Sequence, residues 1–180
     1  MFIIEYLWFF LPAGIANMMP VFVKKYFKFL DVPVDNGITF RGKSVLGRNK
    51  TWRGIIFGTL GGILIVFVQS MLYNNFENFR NISLVPYNEY NIILLGFLMS
   101  FGALLGDMIK SFFKRQVGHD PGDKFFPFDQ IDFVLGFLLL TSIIFRPQWQ
   151  VYVFLILFVP ALHILTNHIG YYLGVQKTKW

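Results

Sequence analysis

Apolar residues along this chain fall into long blocks instead of alternating with polar ones. Five blocks stand out: Phe2 to Val23, Gly54 to Tyr73, Asn91 to Ile109, Ile131 to Phe145 and Val151 to Gly174. A half-buried strand would alternate with period two, and an amphipathic helix of a soluble domain would carry a polar stripe. A hydrocarbon core about 30 Å thick needs roughly 20 apolar residues of helix, so the blocks predict five transmembrane helices. The fourth is short and starts in the loop near Phe128; the fifth is long and interrupted by Pro160. No internal repeat, low-complexity tract or long polar linker divides the chain. The expected fold class is all-α: a polytopic membrane protein, one domain over residues 1–180, built as a bundle of five helices.

Composition agrees with the pattern. Of 180 residues, 55% are hydrophobic and 14% charged, an integral membrane balance. The chain opens MFIIEY, with no basic leader and with Glu5 inside the apolar run, so the first helix is expected to be retained instead of cleaved. Cysteine is absent, which excludes a disulfide framework, a thiolate metal site and a Cys nucleophile.

Charge placement orients the bundle. Of the 16 Lys and Arg, eight lie between Lys24 and Arg53, four between Lys110 and Lys124, and Lys177 and Lys179 follow the last block; only Arg80 and Arg146 fall in the other two loops. Under the positive-inside rule the two basic loops and the C-terminus belong in the cytoplasm and the N-terminus outside. The formal charge of +6 then reflects topogenic and lipid-attracting lysines such as Lys24, Lys25 and Lys28, and nucleic acid is not an expected partner.

Chemistry concentrates in Gly106 to Asp132, GDMIKSFFKRQVGHDPGDKFFPFDQID. Ionisable groups beside hydrocarbon are costly and are usually functional. Asp129 and Asp132, three apart at the start of a helix, share one face and can hold a divalent cation. Asp107 ends the preceding apolar run and is followed by Ser111, Lys114 and Arg115, a group suited to phosphate oxygens. Metal-binding acids beside phosphate-binding cations point to phosphoryl or nucleotidyl transfer at a membrane surface. Helix capping explains one aspartate of the Asp129–Asp132 pair better than two, and leaves Asp107 unexplained. His119, Asp120 and Asp123 read as solvated turn residues. His163 and His168, about 140° apart around a helix, read as packing residues and not as a metal pair.

The first basic loop carries RGKSVLGRNKTWRG, Arg41 to Gly54, where glycines and five cations alternate. Gly37 to Ser44 matches the P-loop spacing formally, but a P-loop needs a strand before it and a helix after it inside an α/β domain. The match is read as accidental, while Lys43, Arg48, Asn49, Lys50 and Arg53 stand as candidate phosphate ligands or as ordinary juxtamembrane anchors with Trp52.

GRNKTWRG at Gly47 to Gly54, GDMIKSFFKR at Gly106 to Arg115, PFDQIDF at Pro127 to Phe133 and TNHIGYYLG at Thr166 to Gly174 resemble the CDP-archaeol synthases, relatives of the phosphatidate cytidylyltransferases. The resemblance covers nearly the whole chain. The bacterial-type signature is matched only in part: its S...KR and D..D elements have counterparts in Ser111, Lys114 with Arg115, and Asp129 with Asp132. Its KD pair and HGG element are replaced by a looser Lys124 and by Pro127-Phe128, a departure that favours the archaeal-lipid branch. The resemblance implies transfer of CMP from CTP to the phosphate of an unsaturated glycerol diether such as geranylgeranylglyceryl phosphate, with Mg²⁺ as cofactor and pyrophosphate as second product. In that reading Asp107, Asp129 and Asp132 hold the metal and join Lys114 in catalysis. Lys114, Arg115 and Lys124 clamp phosphates, and Ser111 and Asn49 orient them, with Lys43, Lys50 and Arg53 as further nucleotide contacts. The site is expected on the cytoplasmic side of the plasma membrane among membrane lipids, with a homodimer possible. An ester-linked phosphatidate acceptor remains an alternative, as does a small cation transporter, which would place its acids near the bilayer midplane. A CDP-alcohol phosphotransferase would need a DG..AR element, which is absent.

Overall fold

A computed structural model describes residues 2–27, 29–120, 123 and 125–172. Lys28, Lys124, Lys177 and Lys179 lie outside the described residues, as do the side chains of Lys25, His163, Thr166 and Asn167. The five apolar blocks appear as five helices: α1 Phe2–Tyr26, α2 Trp52–Asn75, α4 Ile92–Gln116, α5 Phe128–Thr141 and α6 Trp149–Tyr172. A short α3, Glu77–Asn81, and a 3₁₀ turn at Tyr87–Glu89 fill the loop between α2 and α4. Among the described residues α1, α2 and α4 are long and apolar enough to cross a membrane. Helix α5 begins at Phe128, where the apolar pattern placed it, and its 14 residues extend only about 21 Å.

One departure from an all-helical fold lies in the first loop. Strands β1, Thr39–Phe40, and β2, Lys43–Ser44, pair antiparallel around a turn in which Arg41 and Gly42 both take positive φ, 53° and 74°. Two consecutive left-handed residues make the hairpin turn that matches strand twist. The string that mimics a P-loop is therefore a hairpin running into a second strand, with no helix N-terminus to receive phosphate.

Local sequence starts the long helices cleanly. The Thr51 hydroxyl accepts from Gly54 N at 3.3 Å to cap α2, and the Asn91 side chain accepts from Leu94 N at 3.0 Å to cap α4. Inside, Phe9 and Phe10 of α1 interleave with Phe133 and Phe137 of α5, ring centroids 5.1 to 5.8 Å apart, and Leu95, Met99, Val134 and Leu155 complete the core. Outside, Leu60, Leu64, Phe67, Ile93, Leu139 and Leu157 are exposed, the surface a bilayer would cover. The buried amide of Gln69 is satisfied: its Nε2 donates to the Trp8 carbonyl at 2.6 Å and its Oε1 accepts from Tyr87 at 3.0 Å, as a polar group in hydrocarbon requires.

Helices α4 and α5 cross with their backbones in near contact. A Cβ on Gly102 would stand 2.6 Å from the Gly136 carbonyl, and one on Gly106 would run into the Asp132 carbonyl. Small residues permit such approach between membrane helices. Gly136→Ala should push α5 off α4, costing about 1–3 kcal/mol and lowering the melting temperature in detergent. An unchanged melting temperature would show that the crossing is looser than described.

Candidate active site

The glycine crossing sets the loop ends of α4 and α5 side by side. On α4, Asp107, Lys110 and Lys114 lie within about 60° of one another around the axis, and on α5 Asp129 and Asp132 face them. Lys110 is the hub. Its Nζ lies 3.2 Å from Asp107 Oδ1, 2.7 Å from Asp129 Oδ1 and 3.0 Å from Asp132 Oδ2. Lys114 Nζ lies 3.1 Å from Asp129 Oδ2 and donates to the Asp123 carbonyl. From the first loop Lys50 closes on Asp107 Oδ2. Three carboxylates thus interlock with three ammonium groups, and each carboxylate has at least one cation. Asp132 Oδ2 is buried and, although close to Lys110, makes no hydrogen bond.

Lys50 reaches this point because the first loop folds back on itself. The Asp35 carboxylate is buried within it and accepts from Gly37 N at 3.1 Å, Leu46 N at 2.8 Å, Gly47 N at 3.0 Å and the Ser44 hydroxyl at 3.4 Å. Burial pushes the Asp35 carboxyl up, but these hydrogen bonds together outweigh it and hold the group below the usual carboxylate range. Val34 N donates to the Lys50 carbonyl at 2.8 Å and Trp52 N to Val32 at 3.0 Å, so the Asn49–Lys50 corner is fixed from both sides. The hairpin docks on α4 through Lys43 Nζ, which donates to the Gln116 carbonyl at 2.6 Å.

Loop and helices enclose a cleft of about 1030 Å³. Of the residues singled out in the sequence, Asp107, Lys114, Asp129, Asp132, Arg48, Asn49, Lys50 and Arg53 line it, and so do Lys24, Lys110 and Asp123. One wall is apolar, from Pro20, Val21, Ile55, Leu104 and Met108.

The remaining sequence candidates are placed otherwise. Ser111 and Arg115 are buried and do not line the cleft, because they lie about 40° and 80° round the helix from Asp107, away from Lys110 and Lys114. Arg115 instead donates to the His119 carbonyl and ties down the turn after α4. Lys43 is spent on docking the hairpin. Arg53 lines the cleft but is committed to Asp31 at 2.7 Å and the Phe27 carbonyl at 2.5 Å. Lys124 lies outside the described residues. Asp120 N donates to Asp123 Oδ2 at 2.6 Å, consistent with a turn, yet Asp123 also borders the cleft. His168 Nδ1 lies 2.8 Å from the Ile164 carbonyl of its own helix, a packing role. Two residues were missed. Lys110 was legible in the three- and four-residue spacing from Asp107 to Lys114; Asp35 was legible as the aspartate of Asp35-Asn36-Gly37, a turn sequence whose carboxylate bonds the backbone two residues on.

The whole chain, residues 1–180, matches a family model described as CarS-like, CDP-archaeol synthase. It is 34% identical over 184 residues to a CDP-archaeol synthase of Archaeoglobus fulgidus, covering 99% of this chain and 98% of that one. Identity to the Methanospirillum hungatei CDP-archaeol synthase is 38% over 174 residues, covering 91% of this chain and all of the relative. A solved structure described as an intramembrane enzyme for archaeal membrane lipids biosynthesis superposes with a TM-score of 0.71 at 28% identity, covering 89% of this chain and 91% of that chain.

Asp35→Ala should cost about 1–3 kcal/mol by leaving buried amides unpaired and should speed hydrogen exchange at Leu46 and Gly47. Because the folded carboxyl titrates below its unfolded value, its contribution is present above about pH 4 and is lost as pH falls through the folded value. Thermal melts of the wild type should therefore lose stability at acid pH relative to the alanine variant. Parallel acid profiles of the two proteins would overturn the assignment of Asp35 as the loop's organiser.

Proposed function

The chain belongs to the CDP-archaeol synthase family, and from that membership we propose how its cleft transfers CMP from CTP to the phosphate of an unsaturated archaeal-type glycerol diether, giving CDP-archaeol and pyrophosphate. The observation that carries the reading is the interlock of Asp107, Asp129 and Asp132 with Lys50, Lys110 and Lys114 at one end of the cleft.

In the reaction an oxygen of the lipid phosphate attacks the α-phosphorus of CTP. The new P–O bond forms as the bond to the β-phosphate oxygen breaks, and pyrophosphate leaves with that electron pair. A phosphate monoester is already ionised at neutral pH, so no side chain has to take a proton from the nucleophile. The protein brings two anions together and stabilises charge on the leaving pyrophosphate. Lys50, Lys110 and Lys114 suit that task because the carboxylates now holding them are the same kind of partner as phosphate oxygens. As the triphosphate enters, these lysines exchange carboxylate for phosphate.

The carboxylates fit Mg²⁺. They are hard oxygen donors drawn from two adjacent helices, and the buried Asp132 Oδ2 has the Lys110 ammonium, 3.0 Å away, as its ion-pair partner. Among the described residues no acidic or histidine group of three is already spread as a metal cage, since the Lys110 ammonium stands at the point on which all three converge. With Lys110 turned to phosphate, Asp107, Asp129 and Asp132 would be the residues that hold the ion. Mg²⁺ bound there supplies neutralisation of the triphosphate and polarisation of the α-phosphoryl oxygens. A transporter would need membrane acids open to an ion path, whereas these are neutralised by lysines at helix ends.

The division of Lys and Arg between loops, 14 against two, supports a five-span bundle with N-terminus out and C-terminus in and the cleft on the cytoplasmic side of the plasma membrane. The acid–lysine cluster comes from one chain, so a homodimer is not needed to complete it.

Asp107→Asn, Asp129→Asn and Asp132→Asn should each lower pyrophosphate release from CTP by on the order of 10² or more and raise the Mg²⁺ concentration needed. Wild-type turnover in all three would overturn the site. Purified protein should turn over an ether-linked lipid phosphate faster than phosphatidate; the reverse would move the chain to ester lipids. For orientation, Asn49→Cys should stay unlabelled by an impermeant thiol reagent added outside intact cells and react after permeabilisation. Labelling without permeabilisation would reverse the topology.

A further inference from the structure

The cations of the cleft divide into two sets. Lys50, Lys110 and Lys114 are paired with the catalytic aspartates, and Arg53 is paired with Asp31. Lys24 and Arg48 line the same cleft, are exposed, and have no carboxylate partner among the described residues. Two cations that line one cleft and form no ion pair among the described residues are suited to take an anion.

The surroundings identify the anion. Lys24 stands at the last turn of α1, directly after a run whose Met18 and Phe22 are exposed, a surface that a bilayer would cover. Pro20 and Val21 of that run, with Ile55, Leu104 and Met108, form the apolar wall of the cleft. A nucleotide has no use for such a wall. A lipid phosphate does: its chains must stay in hydrocarbon while its headgroup reaches a cation at the water boundary, and the lysine stem can lie along the lipid as its ammonium meets the phosphate. We infer that Lys24 and Arg48 form the subsite for the phosphate monoester of the acceptor lipid, entering along α1, separate from the nucleotide subsite of Lys50, Lys110 and Lys114. Lys24 therefore does more than orient the helix or attract anionic lipid. The inference rests on the cytidylyl-transfer reading above and specifies which cations take which substrate.

The test measures KM for each substrate separately, in an uncharged detergent at one ionic strength. Lys24→Gln, Arg48→Gln and the double variant should raise KM for the lipid phosphate, the double by on the order of tenfold or more, with KM for CTP within about twofold. Lys114→Gln should show the opposite split, and Arg41→Gln, a cation of the same loop outside the cleft, should change neither. Lipid phosphate monoester, but not phosphatidylglycerol or inorganic phosphate at equal concentration, should compete with the acceptor in the wild type and lose that advantage in the double variant. An unchanged lipid KM, a matching rise in the CTP KM, or equal competition by phosphatidylglycerol would each overturn the subsite. The failure of the wider reading looks different: wild-type protein would then release no pyrophosphate from CTP with any lipid phosphate. Should the double variant not fold, Arg48→Gln alone, on an exposed loop position, carries the measurement.

Discussion

The contact of α4 with α5 through Gly102, Gly106 and Gly136 is the constraint on which the rest depends. Only with both backbones bare of side chains can Gly106 meet the Asp132 carbonyl, and only then do Asp107 and Asp132, on different helices, fall within reach of one lysine. Apolar burial cannot set this distance in a bilayer, where lipid tails compete as partners for Leu and Phe; close van der Waals packing of small residues can. The aromatic interleaving of α1 with α5 then fixes α5 from the other side. Geometry at the site is thus set one helical turn away from it, by residues without chemistry of their own.

Placing three carboxylates at the edge of hydrocarbon creates a second problem. Each buried charge costs several kcal/mol unless it is paired, and removing one partner of a buried pair costs about 3–5 kcal/mol. Lys110 answers this by serving all three aspartates at once, with Lys50 and Lys114 at the flanks. The same arrangement keeps the cluster near neutral as it stands, and in the proposed reaction the ammonium groups would pass between oxyanions without a change of charge. A cluster of acids alone would have to recruit a cation merely to fold.

Much of this was legible in the sequence, and the misses have physical causes. The five apolar helices follow from block length, and Asp107, Asp129 and Asp132 stood out because charge beside hydrocarbon is costly. The cleft-facing side of α4 was drawn one step too wide: Ser111 and Arg115 follow Asp107 at four-residue steps, and successive steps of four drift round the helix by about 40°. Lys110 was overlooked because a lone lysine among acids reads as a counter-charge, and only the crossing reveals that it answers two helices. The hairpin at Arg41–Gly42 and the hub at Asp35 depend on left-handed residues and long-range amide contacts, which helical periodicity does not report.

The first loop shows how a short segment can be held by polar contacts and still present cations to the cleft. Residues between α1 and α2 touch the helices through a few aromatic rings, Phe27 and Phe29 on Phe57 and Phe40 on Phe112, and polar contacts order the rest: Asp35 gathers four donors, Pro33 and Thr51 bridge the loop's ends, and Arg53 pins its start through Asp31 and Phe27. Of these residues, Arg53 is the one that motif reading assigns to substrate. What they leave over is the corner Arg48–Asn49–Lys50 at the mouth of the cleft, where one cation faces the aspartates and its neighbour two positions back is unpaired among the described residues. Rigidity of the polar frame is what lets those two charges hold different addresses, since a mobile loop would bring both to the strongest carboxylate. In the proposed division, the separation of a nucleotide side from a lipid side is a property of the loop's internal hydrogen bonds as much as of the cations themselves.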